Sequence, residues 1–385
     1  MRQTRGFTLV ELMIAIAIGL VLLAGIVTVL VAQRQVYSTA SAQASIQNTE
    51  NAIAAMVAPS IRSAGFAGCG AFSHTGTIIN TSSTPLPYNF TAPVFGFDAS
   101  GSGFGGSVTL ASLNAANDGN TGDWNPALDA TLAGLTEKGS DVIAVGGELP
   151  GTIPVATTGD AGNSGQLTIQ MQPFAPPSTA TVQPGMIGSF SDCAKSIAFV
   201  IFSQSGASSS TFVVHHDQGS GACSNKQAQF APNFPSAAQF VLMQQEVFYV
   251  GHSAGGQSGL YGAVMMCGSW QSLSVTSTGC SKGGGAKSSS TAPQPLVPGV
   301  DNMQVLYGVG TGGVTQQWVP ASLVSDWTQV NAVRMGFLIE GPVGSANYGS
   351  NPTAWSVLGT TVDVPRDTRL RHVYTMTISL RNATL

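Results

Sequence analysis

The sequence predicts an α+β protein in which one long N-terminal helix packs on a head of antiparallel β-strands. The first reason is an uncharged apolar run of 22 residues, Leu12–Gln33, followed by a stretch to Ala58 that holds neither Gly nor Pro. The second reason is the rest of the chain, where short β-branched and aromatic segments alternate with clusters of Gly, Ser, Asn and Pro. Such alternation is typical of turn-rich β structure.

The composition is unusual for a cytosolic enzyme. Hydrophobic residues make up 43% of the 385 residues and charged residues 8%, whereas about 25% of an average soluble protein is charged. The apolar content excludes a chain that is disordered for want of a core. The formal net charge of −4 argues against a general attraction to nucleic acid.

The N-terminal run is long enough to cross a membrane. At 1.5 Å per residue a helix over Leu12–Gln33 spans about 33 Å, and a hydrocarbon core is roughly 30 Å thick. Arg2 and Arg5 precede the run, so the positive-inside rule predicts a cytoplasmic N-terminus. The chain after Arg34 is then expected to be exported.

Glu11 is an acid at the start of the apolar segment. Placing a carboxylate in a membrane helix costs up to about 2.5–3.5 kcal/mol at the centre of the helix and less near its end. We therefore expect Glu11 to have a partner. If the chain is cut between Gly6 and Phe7, the new amine lies four residues before Glu11 and could neutralise it, in the same or a neighbouring subunit. The alternative is a plain signal anchor with an interfacial glutamate.

The short basic leader, Gly6, Phe7 and the segment GFTLVEL resemble a type IV prepilin processing site. The resemblance implies that a membrane-embedded aspartic peptidase cuts after Gly6 and methylates the amine of Phe7. It also implies that the apolar helix is retained as the packing core of a filament, with Glu11 as the assembly acid.

An ordinary secretory signal is the competing interpretation of this segment. Its apolar region would have about 7–15 residues and would end at a small-residue cleavage site. Here the apolar run is longer, and the small-x-small triplet at 40–42 lies beyond Arg34. Cleavage at that triplet is therefore not expected.

The second half of the helix has a partial apolar stripe at spacings of three, four and seven residues. One face of this half is expected to pack on the head and the other on neighbouring subunits. Pro59 is expected to kink or end the helix, since it cannot donate a backbone hydrogen bond. The stripe consists of Ile46, Ile53, Met56, Val57 and Ile61.

The chain thus divides into four predicted parts. Two Gly- and Ser-rich stretches, 98–125 and 281–290, are predicted to be loops of the head. The four parts are a leader at 1–6, a transmembrane segment at 7–33, an exported helical segment at 34–64 and a β-rich head at 65–385.

Several segments of the head predict strands. In the last two of them apolar and polar residues alternate, which predicts half-buried strands of an antiparallel sheet with one wet face. The segments are Val108–Leu113, Asp141–Val145, Gln166–Met171, Ser196–Phe202, Thr211–His215, Gln239–Val250, Gly259–Met265, Asn302–Val309, Asn331–Ile339 and His372–Arg381.

The five cysteines are Cys69, Cys193, Cys223, Cys267 and Cys280, and no CxxC occurs among them. The spacing disfavours zinc and thioredoxin-like sites, and an exported head makes them disulfide candidates. Cys267 and Cys280 flank a short strand-like stretch and are the expected local pair. The partner of Cys193 could be Cys223 or Cys69, and one thiol must be left over.

Several head segments carry a narrower resemblance. The junction AGFAGC and the segments SDCAKSIAFVIF, LVPGVDNMQVLYGV, WTQVNAVRMGFLIEG and RLRHVYTMTISLRN are similar to those of PilW-type minor pilins. Relatives often have an Asp-rich loop after the YG, where calcium could bind, but here the loop VGTGGVTQQW has no acids, so no cation site is expected.

The resemblance implies a function in type IV pilus assembly. Its partners would be other minor pilins, the major pilin, the prepilin peptidase, the inner-membrane assembly platform and a tip adhesin. Such a protein would start in the inner membrane with its head in the periplasm and end in the pilus, at its tip, in the service of adhesion and twitching motility. A minor pseudopilin of type II secretion is the alternative, because that family is similar.

Enzymatic and nucleic-acid functions are disfavoured. The phosphate-loop pattern GxxxxGK[ST] does not occur, and His215 and His216 would point to opposite faces of a strand, so no catalytic, metal or cofactor site is predicted. A DNA-binding competence pilin would need a basic stripe. The sole candidates are Lys282, Lys287 and the C-terminal arginines at 366, 369, 371 and 381, which are expected to form a solvated rim.

Overall fold

The computed structural model describes most of the chain. Gly6, Phe7, Cys223, Cys267, Cys280 and the predicted loop 281–290 lie outside the described residues. The described residues are 8–71, 75–80, 90, 92–110, 117–149, 155–158, 166–170, 182, 184–205, 211–219, 224–228, 238–253, 255–266, 269–272, 293–346, 348–349 and 351–382.

The N-terminal helix α1 extends over 55 residues, Leu9–Ser63. Pro59 lies inside its last turns, so this residue does not end the helix. The chain leaves the helix through Gly65, whose φ of +81° is a left-handed conformation that a side chain would strain. A second helix in the described chain, α2, is short, Ala130–Ala133.

The largest sheet in the described part of the chain has fourteen strands. Its pairings are antiparallel, except for the parallel pair at 196–198 and 75–77. The longest strand, β14 (Gln239–His252), pairs with four others. The strands are β3 (Thr75–Thr77), β4 (Val94–Ala99), β6 (Trp124–Asn125), β7 (Val142–Glu148), β8 (Val155–Thr158), β9 (Gln166–Gln170), β10 (Ile187–Ser191), β11 (Ser196–Val200), β12 (Ser203–Ser205), β13 (Thr211–His215), β14 (Gln239–His252), β15 (Ser258–Met266), β16 (Ser269–Ser272) and β17 (Val297–Pro298).

The described residues of the head form three smaller sheets as well. A four-stranded antiparallel sheet has the order β19 (Gln317–Val319), β18 (Val300–Val309), β20 (Val330–Glu340), β23 (Arg371–Ser379). A three-stranded sheet has the order β21 (Ala354–Val357), β22 (Thr360–Asp363), β5 (Ser107–Thr109). A two-stranded ribbon pairs β1 (Phe66–Ala67) with β2 (Gly70–Ala71), and short 3₁₀ helices lie at Thr121–Asp123, Ala321–Leu323 and Trp327–Gln329.

The apolar core cluster that contains α1 lies between this helix, the four-stranded sheet and the large sheet. Four of the five stripe residues of α1 are buried in it, as predicted: Ile46, Ile53, Val57 and Ile61. The fifth, Met56, is 46% exposed, because it lies about 100° around the helix from Val57 and misses the buried face. Its inclusion in the stripe was wrong.

The two strands with clear alternation differ in how their outer faces are covered. On β23, Thr375, Thr377 and Ser379 are exposed, as predicted for a wet face. On β20 the prediction of a wet face was wrong, because Leu338 is fully buried against the three-stranded sheet. A Cβ on Gly336, on the same face, would approach Leu358 to 2.8 Å.

The stretch 98–125 contains more structure than the predicted loop. It holds the end of β4, all of β5 and the strand pair at Trp124, and Trp124 is buried and donates its Nε1 hydrogen to the carbonyl of Ser140 at 2.9 Å. The predicted strand Val108–Leu113 overlaps β5, which ends at Thr109, and its residues 111–113 lie outside the described residues.

A disulfide joins Cys69 to Cys193, one of the two partners left open for Cys193. It connects the chain just after α1 to the turn between β10 and β11, 124 residues later. Closing a loop of that length restricts the unfolded chain, which stabilises the fold by roughly 4–5 kcal/mol in the chain-entropy account.

Glu246 generates a prediction about pH. Its side chain lies on β14 under α1, it is 6% exposed, and burial raises its pKa from 4.5 to about 7 despite a hydrogen bond from Ser60. Between pH 4.5 and about 7 the carboxyl of Glu246 keeps its proton in the folded chain and loses it in the unfolded chain. The free energy of unfolding therefore falls as pH rises through this range. We expect Glu246→Gln to remove about 3 kcal/mol of that fall, measured by urea unfolding of the detergent-solubilised chain from pH 4 to 8.

The exposed Asp118 provides the control, since Asp118→Asn removes a carboxylate that solvent reaches. This variant should keep the wild-type pH profile. If Glu246→Gln and wild type lose stability equally between pH 4.5 and 7, the buried carboxyl is not the cause.

Candidate assembly site

The first half of α1 has no cover from the head. Every large apolar side chain from Leu9 to Val31 is about half to three-quarters exposed, from 48% at Val27 to 75% at Leu9. Within the described residues, α1 is the helix that is long and apolar enough to cross a membrane. Because the apolar side chains point in all directions, this segment needs a non-aqueous environment on every side.

Two glycines lie within this exposed apolar segment, Leu9–Val31, which we call the rod. Nothing in the described chain comes within 4 Å of a Cβ placed on Gly19 or Gly25. The isolated subunit therefore does not need the small size of these residues. Glycine lowers the stability of a helix, so its presence here calls for another reason. Glycine allows a second helix to approach closely in an apolar environment, and these two positions are consistent with such packing.

Glu11 and Thr8 form a capping box at the start of the rod. The backbone N–H of Glu11 donates to Thr8 Oγ1 at 3.3 Å, while Glu11 Oε2 accepts from the N–H and the hydroxyl of Thr8, each at 3.1 Å. The carboxylate thus satisfies free donors at the positive end of the helix dipole. Thr8 directly follows Phe7, whose amine would be released by the predicted cleavage, and Glu11 lies four residues after Phe7.

The second half of α1 is held along β23. Glu50 lies 3.4 Å from His372 at the start of β23, and Asn382, just after the strand, donates from Nδ2 to the carbonyls of Ser63 and Ala64 at 3.4 and 3.3 Å. The helix and the strand therefore run in the same direction. The head caps the C-terminal end of α1 with a residue that the sequence pattern did not single out.

The C-terminal arginines are only partly a solvated rim. Arg371 is buried, donating from Nε to Asp301 at 2.7 Å and in a bidentate pair to Asp367 at 2.8 Å. Arg369 pairs with Glu340, whose pKa is raised to about 7 by burial and by the neighbouring Asp301. The expectation of a solvated rim was wrong for these two, because Asp301 and Glu340, which are distant in sequence, lie beside them together with the nearby Asp367.

This pairing leaves Arg366 and Arg381 as the exposed members of the group. The other two arginines lie inside the head with their charges compensated, and Lys282 and Lys287 lie outside the described residues. The described part of the chain therefore carries no stripe of C-terminal cations that could follow a phosphate backbone.

His215 and His216 are also separated by the fold. His215 ends β13, where its Nε2 is 2.7 Å from Ser205 Oγ, while His216 is fully buried beside Phe199. Burial lowers the pKa of His216 to about 4, so it is neutral near pH 7. No group of three His, Cys, Asp or Glu residues in the described chain is placed to hold a metal ion.

Arg371 generates a prediction about stability. Arg371→Met would leave Asp301 and Asp367 buried without their cation, and breaking a buried pair in this way typically costs about 3–5 kcal/mol. Arg366→Met removes an exposed cation, and we expect a change within about 0.5 kcal/mol. Urea unfolding of both variants at pH 7 measures the difference between their free energies of unfolding. Equal values would show that the ion pairs of Arg371 do not stabilise the head.

Two family models match this chain. Residues 247–382 match the model described as PilW, type IV pilus-assembly protein W, and residues 1–27 match the prokaryotic N-terminal methylation motif. The first match covers the four-stranded sheet and β15, and the second covers the start of the exposed rod with Thr8 and Glu11. A search of curated proteins finds no match, and neither does a search of solved structures.

Together the two matches support a type IV pilus minor pilin. The chain is a pilin-like α+β protein that carries a PilW domain behind a prepilin-type methylation motif.

Proposed function

We propose that this minor pilin primes type IV pilus assembly as part of a tip complex with other minor pilins. The observation that carries the proposal is the apolar rod Leu9–Val31, which is exposed on every side and has an acid, Glu11, in its first turn. A rod of this kind serves equally as a lipid-embedded anchor before assembly and as a packing element among other helices after it.

The exchange of lipid for neighbouring helices gains little hydrophobic free energy, because lipid tails are as apolar as leucine side chains. Polar contacts within the rod therefore have a large influence on the register of the rod against neighbouring helices. Glu11 is the acid there, and we propose that the methylated amine of Phe7, released by the prepilin peptidase after Gly6, is its partner. The capping box keeps the carboxylate at the helix start, ready for that contact.

The size of the head supports a place at the tip. It extends from 65 to 385 and its described residues form sheets of fourteen, four, three and two strands, far more than is needed to cover one helix stripe. A subunit at the tip has neighbours on one side only, so a large head is tolerated there. The same position would present the head to a tip adhesin, outside the cell, after extraction from the inner membrane by the assembly platform.

Processing is tested with Gly6→Leu, because a bulky residue at the cleavage position should block the peptidase. We expect full-length precursor in the inner membrane and no chain in sheared pili, measured by immunoblot and by mass spectrometry of the N-terminus. Gly6→Ala is the control and should still be cut. Mature material beginning at a residue other than methylated Phe7 would contradict the assignment.

The partners are tested by pull-down of the wild-type chain from detergent extracts with antibodies against named subunits. Recovery of other minor pilins and the major pilin is expected. Recovery of secretion pseudopilins instead would place the chain in type II secretion, which uses the same helix physics.

Thr8 tests the assembly role of the capping box. Thr8→Val removes the hydroxyl that caps the helix and binds Glu11, a loss of about 1 kcal/mol. We expect normal cleavage but roughly fivefold less chain in sheared pili, while Thr8→Ser, which keeps the hydroxyl, should match wild type. Equal incorporation of the valine variant would remove the box from the mechanism.

A further inference from the structure

The strand β23 forms a long edge of the four-stranded sheet. It pairs with β20 in a continuous register from Arg371 to Ser379, without a bulge. The other strands that end a sheet in the described chain have two to four residues. Natural proteins protect sheet edges by short strands, Pro, bulges or outward-facing Lys, and β23 has none of these.

The free groups of this edge follow from the pairing. The N–H of Leu380 donates to the carbonyl of Asn331, so even-numbered residues of β23 point their backbone groups towards β20. The backbone groups of Val373, Thr375, Thr377 and Ser379 therefore point away from the sheet. None of them has a hydrogen bond within the described residues.

The side chains beside this edge define what would fit. On the inner face, Tyr374 and Met376 are only partly buried at the rim of the core, next to α1. On the outer face, Thr375 and Thr377 are exposed hydroxyls. Arg381 is exposed just after the strand, so the end of the edge carries a cation without an acid on the strand itself.

We propose that β23 is a docking edge for an extended segment of a different pilus subunit, which adds a fifth strand to the sheet. The segment would alternate apolar residues, covering Tyr374 and Met376, with polar residues beside Thr375 and Thr377. A carboxylate near its end would pair with Arg381. This inference rests on the proposed function, because it takes the occupant from the tip complex.

A second copy of this chain does not fit the edge in the antiparallel sense. The helix α1 and β23 run in the same direction, so antiparallel pairing of two β23 strands would point the two membrane rods in opposite directions. Two anchors in one membrane with the same orientation cannot satisfy that geometry. In the parallel sense, the rotation about the strand direction that joins two such edges would place the hydroxyl face of one copy beside the apolar face of the other, so Tyr374 and Met376 would not be covered by apolar residues. The occupant is therefore expected to come from another subunit.

Thr375→Pro is the sharpest variant. The N–H of Thr375 points outward, so proline removes no ladder bond of the sheet but blocks a strand on that edge. Thr375→Ala is the matched control. We expect both variants to unfold within a few degrees of each other, while the proline variant retains at least tenfold less of the co-expressed minor pilins on purification of the full chain in detergent.

Amide hydrogen exchange at single-residue resolution measures the edge directly in the wild-type chain. We expect the amides of Thr375, Thr377 and Ser379 to exchange fast in the free chain and to become protected in the purified complex with the other minor pilins. This measurement decides the question even where the proline variant fails to fold.

Three results would overturn the inference. Fast exchange of these amides in a complex that forms normally would exclude the added strand and leave the proposed function intact. Protection in the chain alone that grows with its concentration would assign the edge to a second copy. Failure of the wild-type chain to bind any other minor pilin would contradict the proposed function, and the assignment of the occupant with it.

Discussion

The constraint on which this molecule depends is an apolar rod that its own head does not cover. From Leu9 to Val31 the side chains face outward on all sides, and water is a poor solvent for each of them. The rod must lie either in lipid or among other helices, so the subunit is complete only in a membrane or an assembly. The head is attached to the other half of the helix and leaves the rod free for both environments.

That attachment combines apolar and polar contacts. One face of the helix is buried against the sheets through Ile46, Ile53 and Val57. Asn382 caps the C-terminal end of the helix, and Glu50, earlier in the helix, pairs with His372. Because these contacts are spread along about twenty residues, the head and the exported half of α1 should move as one body. A displacement of the rod during extraction would then be transmitted to the head.

Local periodicity explains which features could be predicted from the sequence. The alternation in β20 and β23 and the spacing of Ile46, Ile53 and Val57 are properties of neighbouring residues, and the structure confirms the strands and the buried face. The covering of β20 was missed because it depends on a sheet that joins β21 and β22 to β5, a strand more than 200 residues away in the chain. The burial of Arg371 was missed for the same reason, since Asp301 is 70 residues distant.

The candidate site shows a similar division. Glu11 was predicted as a functional acid from its charge in an apolar segment, yet its capping partner Thr8 was missed, although the spacing of three residues was visible. The edge of β23 carries no sequence motif, because recognition there uses backbone groups that every residue has.

Scarcity of charge connects these features. Only 8% of the residues are charged, and several of them, including Arg371 and Asp301, are used inside the head rather than on its surface. With so few charges left for the surface, the head offers few ion pairs for selecting a partner. An edge strand gives such a surface a different means of recognition, since its backbone groups bind strongly in one register without charged side chains.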